Sequence, residues 1–238
     1  RLADGYGVPR IALINKLDRT GADFARVVAM IAERLAVTPL VLQLPIGQEA
    51  GFAGVVDLLG MQALYWPPND RGQPTLTRAA VPAELLAAAE SARRNLVELA
   101  VEQDDAALTA YLDGQTVPEN VLRACIRKGT LAGAFVPVLA GAALKNKGIE
   151  PLLDAVVDYL PAPEDRPLAL PPGDGFAALV FKVVHDEHGT LSYLRVYRGE
   201  AHAGTPVLNT HTGQRERLSR VVQMHADRRE ERALAQAG

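Results

Sequence analysis

The chain has 238 residues, 48% apolar and 22% charged, proportions of ordinary globular protein with room for one large or two average domains. A formal net charge of −3 excludes a chain drawn to nucleic acid by a global basic field, although residues 1–175 carry 16 Lys and Arg against 21 Asp and Glu and residues 176–238 carry 9 against 7. No apolar run nears the roughly 20 residues of a membrane span, no signal-peptide pattern opens the chain, and one cysteine, Cys125, rules out an internal disulfide and suits a reducing, cytoplasmic setting.

Residues 8–14, VPRIALI, form a short continuous apolar run, the pattern of a strand buried on both faces of a parallel sheet. Pro9 falls at its start, where a missing donor matters least. The run ends in Asn15-Lys16-Leu17-Asp18. From Phe24 the period changes: Phe24, Val27, Val28, Ile31 and Leu35 recur at helical spacing, with Thr20 or Asp23 placed to cap the helix. The quartet therefore sits in a strand-to-helix loop, the end of an open α/β sheet that binds ligands.

Residues 37–66 read as short β segments divided by glycines, and 67–81 as turns. A strongly helical stretch follows from Pro82 to Gly114, with a break near Gln103–Asp105, and a further helix runs from about Pro118 to Lys128. Leu122 and Ile126 beside Cys125 suggest a buried, unreactive thiol; Tyr65 and Trp66 read as core. AFVPVLAG, residues 134–141, is a second buried strand. The helix after it presents Leu152, Leu153, Val156, Val157 and Leu160 as its apolar side. The Pro-rich stretch 160–175 reads as a linker, and the remainder as all β. His185 and His188 share one loop, and no cysteine cluster or H-E-x-x-H pattern points to a metal site.

The N-K-x-D order has a chemical reason. Guanine presents two donors on one edge, the ring N1–H and the exocyclic N2–H, and a carboxylate at Asp18 accepts both in one plane. Adenine lacks that pair, so a buried contact discriminates strongly. Asn15 can serve the N7 side and tie neighbouring loops together, and the Lys16 stem can lie along the base face. The second strand ends in AGAALKNKG, residues 140–148. Its small residues let backbone approach a ligand, which makes the Ala143 N–H, flanked by Ala142 and Leu144, a candidate donor to the base carbonyl.

These segments resemble the elongation factor G family of translational GTPases. VPRIALINKLDRTGADF is similar to its guanine-specificity segment, and GAALKNKGIEPLLDAVVDYLPAP to its second base-binding segment and following helix. GVVDLL with ALYW resembles the start of the subdomain inserted in its G domain. FKVVHDEHGTLSYLRVYRG and ERLSRVVQMHADRREE resemble its second domain, a β-barrel. The 122 residues between Asp18 and Gly141 fit such an insertion.

The resemblance implies an α/β fold: an incomplete P-loop-GTPase-type parallel sheet (1–40 and 134–161) with an inserted α+β subdomain (41–133), a Pro-rich linker (162–175), and a partial translation-factor β-barrel domain (176–238). It implies GTP or GDP bound by Asn15, Lys16, Leu17, Asp18, Ala142, Ala143 and Leu144, with magnesium held by residues outside this sequence. It further implies action on the ribosome, through rRNA and the stalk proteins and indirectly tRNA–mRNA, by a monomeric cytoplasmic protein with no membrane role. Arg228 and Arg229 are candidates for an rRNA contact. The second base loop departs from the family's usual Gly-Ser-Ala, reading Gly141-Ala142-Ala143 and lacking a bracing hydroxyl. The HDEHGT hairpin is shorter than in the main bacterial translocases and closer to ribosome-recycling forms, so both activities stay open. So do a non-catalytic ribosome-binding module and a non-translational GTPase.

No G-x-x-x-x-G-K-[ST] phosphate loop occurs in the sequence. The chain opens at Arg1 without methionine, and a piece of a longer protein is expected, inactive in hydrolysis by itself.

Overall fold

Only the end of the apolar run before the quartet is a strand, β1 (Ala12–Ile14), in which Ile14 is buried and Ala12 and Leu13 are half-buried, and it pairs in parallel with the second apolar run, β7 (Val136–Ala140). The computed structural model describes residues 2–162, 165, 175–186, 189–226 and 228–237; most of the Pro-rich stretch, and His188, lie outside the described residues. The chain divides into two units, residues 1–161 and 162–238.

In the first unit a four-residue helix, α1 (Leu2–Gly5), precedes β1. After the quartet comes α2 (Phe24–Leu35), capped by Asp23, whose side chain accepts the Arg26 N–H at 2.9 Å. Then follow β2 (Pro39–Val41), β3 (Gln43–Ile46), β4 (Gly54–Asp57), β5 (Gln62–Tyr65) and β6 (Thr77–Ala80). Three helices come next: α3 (Ala83–Val101), α4 (Asp105–Leu112) and α5 (Glu119–Ala132). β7 and α6 (Ile149–Tyr159) close the unit. Asp104 caps α4 by accepting the Ala106 and Ala107 N–H groups, which explains the break expected at that point.

Two sheets result. The parallel one has the order β1-β7-β2; the antiparallel one is the meander β3-β4-β5-β6. β7 is central yet contains Pro137. Its pairing with β1 begins only at Ala12↔Val138, so the missing N–H falls where that ladder has not started. β2 ends at Val41, and the chain leaves for the second sheet. The buried side chain of Gln43 then replaces the lost backbone partner: its Oε1 accepts the Ala140 N–H at 3.1 Å.

The antiparallel sheet is not walled off from the parallel one. Val55 and Val56, neighbours on β4, are both fully buried and face opposite ways. Val56 joins the larger core with Leu40, Leu96, Leu122, Ile126 and Leu139. Val55 joins a second core with Ile14, Leu17, Phe52, Leu64 and Trp66, against which α2 packs Phe24, Val27, Val28 and Ile31. Each such side chain contributes about 1.5–3 kcal/mol by burial. Cys125, Trp66 and Phe135 are all core residues.

The apolar side expected for α6 needs correction. Ala155 and Tyr159 are buried and Leu152 half-buried, whereas Leu153, Val156 and Val157 are 58%, 41% and 76% exposed. Positions 152, 155 and 159 lie on one face of a 3.6-residue helix, and small Ala155 lets the helix approach α5.

The strands described in the second unit all pair antiparallel. A long hairpin joins β8 (Ala177–Asp186) to β9 (Gly189–Arg198). β10 (Glu200–His202) pairs with β15 (Leu234–Gln236), β11 (Pro206–Asn209) with β12 (Gln214–Arg217), and β13 (Val221–His225) with β14 (Arg228–Arg232).

Candidate functional site

Parallel pairing of β1 and β7 puts their carboxyl ends side by side, so the loops after Ile14 and Ala140 meet although they are far apart in sequence. Gly141 N–H donates to Ile14 O at 3.0 Å and Leu17 N–H to Gly141 O at 3.2 Å. Gly141 is needed there, since a Cβ would stand 2.8 Å from Lys147 O.

Asn15 joins the two loops. Its Oδ1 accepts the Lys16 N–H at 2.8 Å and the Ala143 N–H at 2.9 Å. With the oxygen committed twice, the amide nitrogen is the group of Asn15 that can donate to a ligand. Lys16 adopts φ +65°, a left-handed conformation that costs a non-glycine residue about 1–2 kcal/mol.

Asp18 has an 8% exposed side chain, and Lys145 Nζ stands 3.1 Å from its Oδ2. The hydrogen bond from Lys145 holds the Asp18 carboxyl below the usual carboxylate range, against partial desolvation. The group that would accept two guanine donors is therefore ionised and already holds a cation. Leu17, by contrast, is 4% exposed and sits in the second core. Its side chain anchors the loop instead of facing a ligand.

Ala142 is also buried, at 1% exposure, with its methyl in the second core. The loop is braced without a hydroxyl. Ala142 N–H donates to Lys147 O at 2.9 Å, and Ala142 O accepts the Lys145 and Lys147 N–H groups at 2.9 and 3.2 Å. Leu144 is 84% exposed. The Ala143 N–H, the candidate donor to a base carbonyl, is engaged by Asn15 here.

Three residues that the sequence did not single out shape this region. Lys145 pairs with Asp18. Lys147 Nζ donates to Phe52 O at 2.7 Å and lies 5.7 Å from the Phe52 ring centroid; burial and nearby Lys145 push its pKa below the usual lysine range. Glu49 accepts the Gly21 N–H at 2.6 Å. The only local signal for the lysines was the K-N-K spacing, which also suits a solvated loop. Trp66 donates its Nε1–H to Glu150, at the start of α6.

Arg228 and Arg229 are both exposed on β14, but strand alternation sends them to opposite faces. Arg228 shares its face with Glu230 and Arg232, which form an ion pair; Glu231, on the other face, pairs with Arg220. Among the described residues no group of three or more His, Cys, Asp or Glu is arranged to hold a metal, and no helix is long and apolar enough to cross a membrane.

Two bonded loops at the carboxyl edge of a parallel sheet, one carrying N-K-x-D, define the class of GTP-binding domains. The family described as Elongation factor Tu GTP binding domain matches residues 1–162, and the Elongation factor G domain 2 family matches residues 175–238. The chain belongs to the family of the Elongation factor Tu GTP binding domain, followed by a second domain of the Elongation factor G domain 2 family. It is 44% identical to Elongation factor G of Gluconobacter oxydans (strain 621H), covering 100% of this chain and 37% of that protein. It is 48% identical to Elongation factor G 2 of Hahella chejuensis (strain KCTC 2396), covering 100% and 36%. A crystal structure of a Thermus thermophilus protein superposes with a TM-score of 0.82 at 28% identity, over 100% of this chain and 34% of that one. The chain thus spans little more than a third of the curated relatives it matches.

Proposed function

We propose that residues 15–18 and 142–144 form the base-reading side of a guanine-nucleotide site in an elongation factor that acts on the ribosome. The hydrogen bond between Asn15 Oδ1 and Ala143 N carries this reading, because it fixes the N-K-x-D loop and the second base loop as one surface. Asp18 accepts the guanine N1–H and N2–H, replacing its bond to Lys145. Asn15 donates through its amide nitrogen to N7. The base carbonyl has to share the Ala143 N–H with Asn15 or take that of Leu144. The Lys16 stem covers a face of the ring.

Charge and hydrogen-bonding capacity both fit guanine. Nothing in the 238 residues supplies a phosphate loop, so no step of phosphoryl transfer is assigned to these side chains; their contribution is affinity and base choice. Magnesium, in this reading, is held by residues outside this sequence, and the 238-residue chain by itself does not turn over GTP. Sustained turnover by the pure chain would contradict this.

The 44–48% identity to proteins named Elongation factor G, across both units, supports coupling of GTP hydrolysis to tRNA–mRNA translocation or to ribosome recycling. In that role the 41–133 insertion faces the ribosomal stalk proteins. A contact to rRNA phosphates by Arg228 or Arg229 uses one face of β14 at a time. Base selection is the test. In the complete product of the gene, Asp18→Asn should move preference from guanine toward xanthine nucleotides by at least about a hundredfold, as expected when a built hydrogen-bonding edge is mismatched. Unchanged preference counts against the site.

A further inference from the structure

The turn between β3 and β4 touches both base-reading loops. Glu49 reaches Gly21, three residues past Asp18, and accepts its N–H at 2.6 Å. Phe52, at the other end of the turn, accepts Lys147 Nζ at 2.7 Å through its carbonyl oxygen and is itself buried beside Leu17 and Ala142. One short turn of the inserted segment therefore bonds to each half of the pocket. Its backbone is held in an unusual shape to do so. Glu49 has φ +50°, and Gly47 has φ +79° with no room for a side chain, since a Cβ would lie 2.1 Å from Gly51 O. Left-handed backbone at a non-glycine residue persists only where surrounding contacts fix it.

We propose that the Gly47–Phe52 turn is a positioning device that holds the N-K-x-D loop and the second base loop at a fixed separation, with Glu49 and Lys147 as its two attachment points. A displacement of the inserted segment would then loosen the base pocket from both sides at once, without touching any residue that contacts the base. The role in nucleotide retention rests on the guanine reading above; the positioning itself does not.

Hydrogen exchange without nucleotide separates the two. In the complete product of the gene, Glu49→Ala should speed exchange of amides in 16–21, and Lys147→Met those in 142–147, by about tenfold, the scale of one lost hydrogen bond. The thermal midpoint should stay within about 3 °C. Glu49→Gln keeps the acceptor oxygen and should restore protection. With a fluorescent GDP, both disruptive variants should dissociate about tenfold faster while keeping preference for guanine over xanthine. Unchanged exchange in both loops overturns the proposal. So does an even rise in exchange over the whole first unit with a lowered midpoint, which would mark a purely structural role. If loop exchange rises as expected but Asp18→Asn leaves base preference unchanged, the positioning stands and the guanine reading falls.

Discussion

Asn15 Oδ1 accepts the Ala143 N–H at 2.9 Å across 128 positions of sequence, and this bond joins two loops into one surface. Asn15→Ala removes it together with the bond to Lys16 N. Each is worth about 1 kcal/mol net, so GDP affinity should fall by roughly tenfold or more. Equilibrium titration with a fluorescent nucleotide measures this. Asn15→Asp keeps the acceptor but removes the donor toward N7, and should recover only part of the loss.

The charge state of Asp18 predicts how the site responds to acid. Its folded pKa is depressed, chiefly by the Lys145 hydrogen bond. A depressed carboxylate makes its favourable contribution above the unfolded pKa and loses it as pH falls through the lower folded value. Guanine preference should therefore stay flat from about pH 8 down to about pH 5. Lys145→Met removes the main cause of the shift, and the Asp18 carboxyl should then titrate at higher pH, an effect visible by carbon-detected NMR.

Gly129 lies inside α5, where a Cβ would meet the Phe135 ring at 2.3 Å. Alanine improves helix propensity by about 1 kcal/mol, but overpacking typically costs about 1–3 kcal/mol. Phe135 is 3% exposed and cannot swing into solvent, so the steric term should win. Gly129→Ala should lower the melting temperature by about 2–6 °C; a rise would show that the ring can move aside.

Cys125 is buried, and burial raises its thiol pKa, with the Asp104 charge adding to the shift. Less thiolate and no access both slow alkylation and disulfide exchange. An aromatic disulfide reagent should label the native protein at least about a thousandfold more slowly than the urea-unfolded chain, since reaction must await opening. Fast native labelling would contradict the placement.

The strands β1 and β7, the capped start of α2 and the buried face around Cys125 were all legible, because continuous apolar runs, helical spacing and capping are local properties of residue type. The face of α6 was misread for a related reason. Apolarity alone favoured Leu153, Val156 and Val157, whereas the packed stripe runs through Leu152, Ala155 and Tyr159. Which face is buried depends on what lies opposite, and a small residue can be the better contact. The candidate site was half legible. N-K-x-D and the small-residue loop were visible, but Lys145 and Lys147 looked like ordinary solvated charges.

The sequence by itself determined which chemistry is available: a carboxylate and an amide after a buried strand, and small residues after another, in the order of a family whose domains match across the chain. Only the tertiary structure decided how those groups are committed. It placed Asn15 on Ala143, Lys145 on Asp18, Glu49 on Gly21 and Lys147 on Phe52. These bonds join residues 28 to 128 positions apart. Local sequence sets what a side chain can donate or accept, but the partner is fixed by parallel strand pairing and by the packing of β4 between two cores.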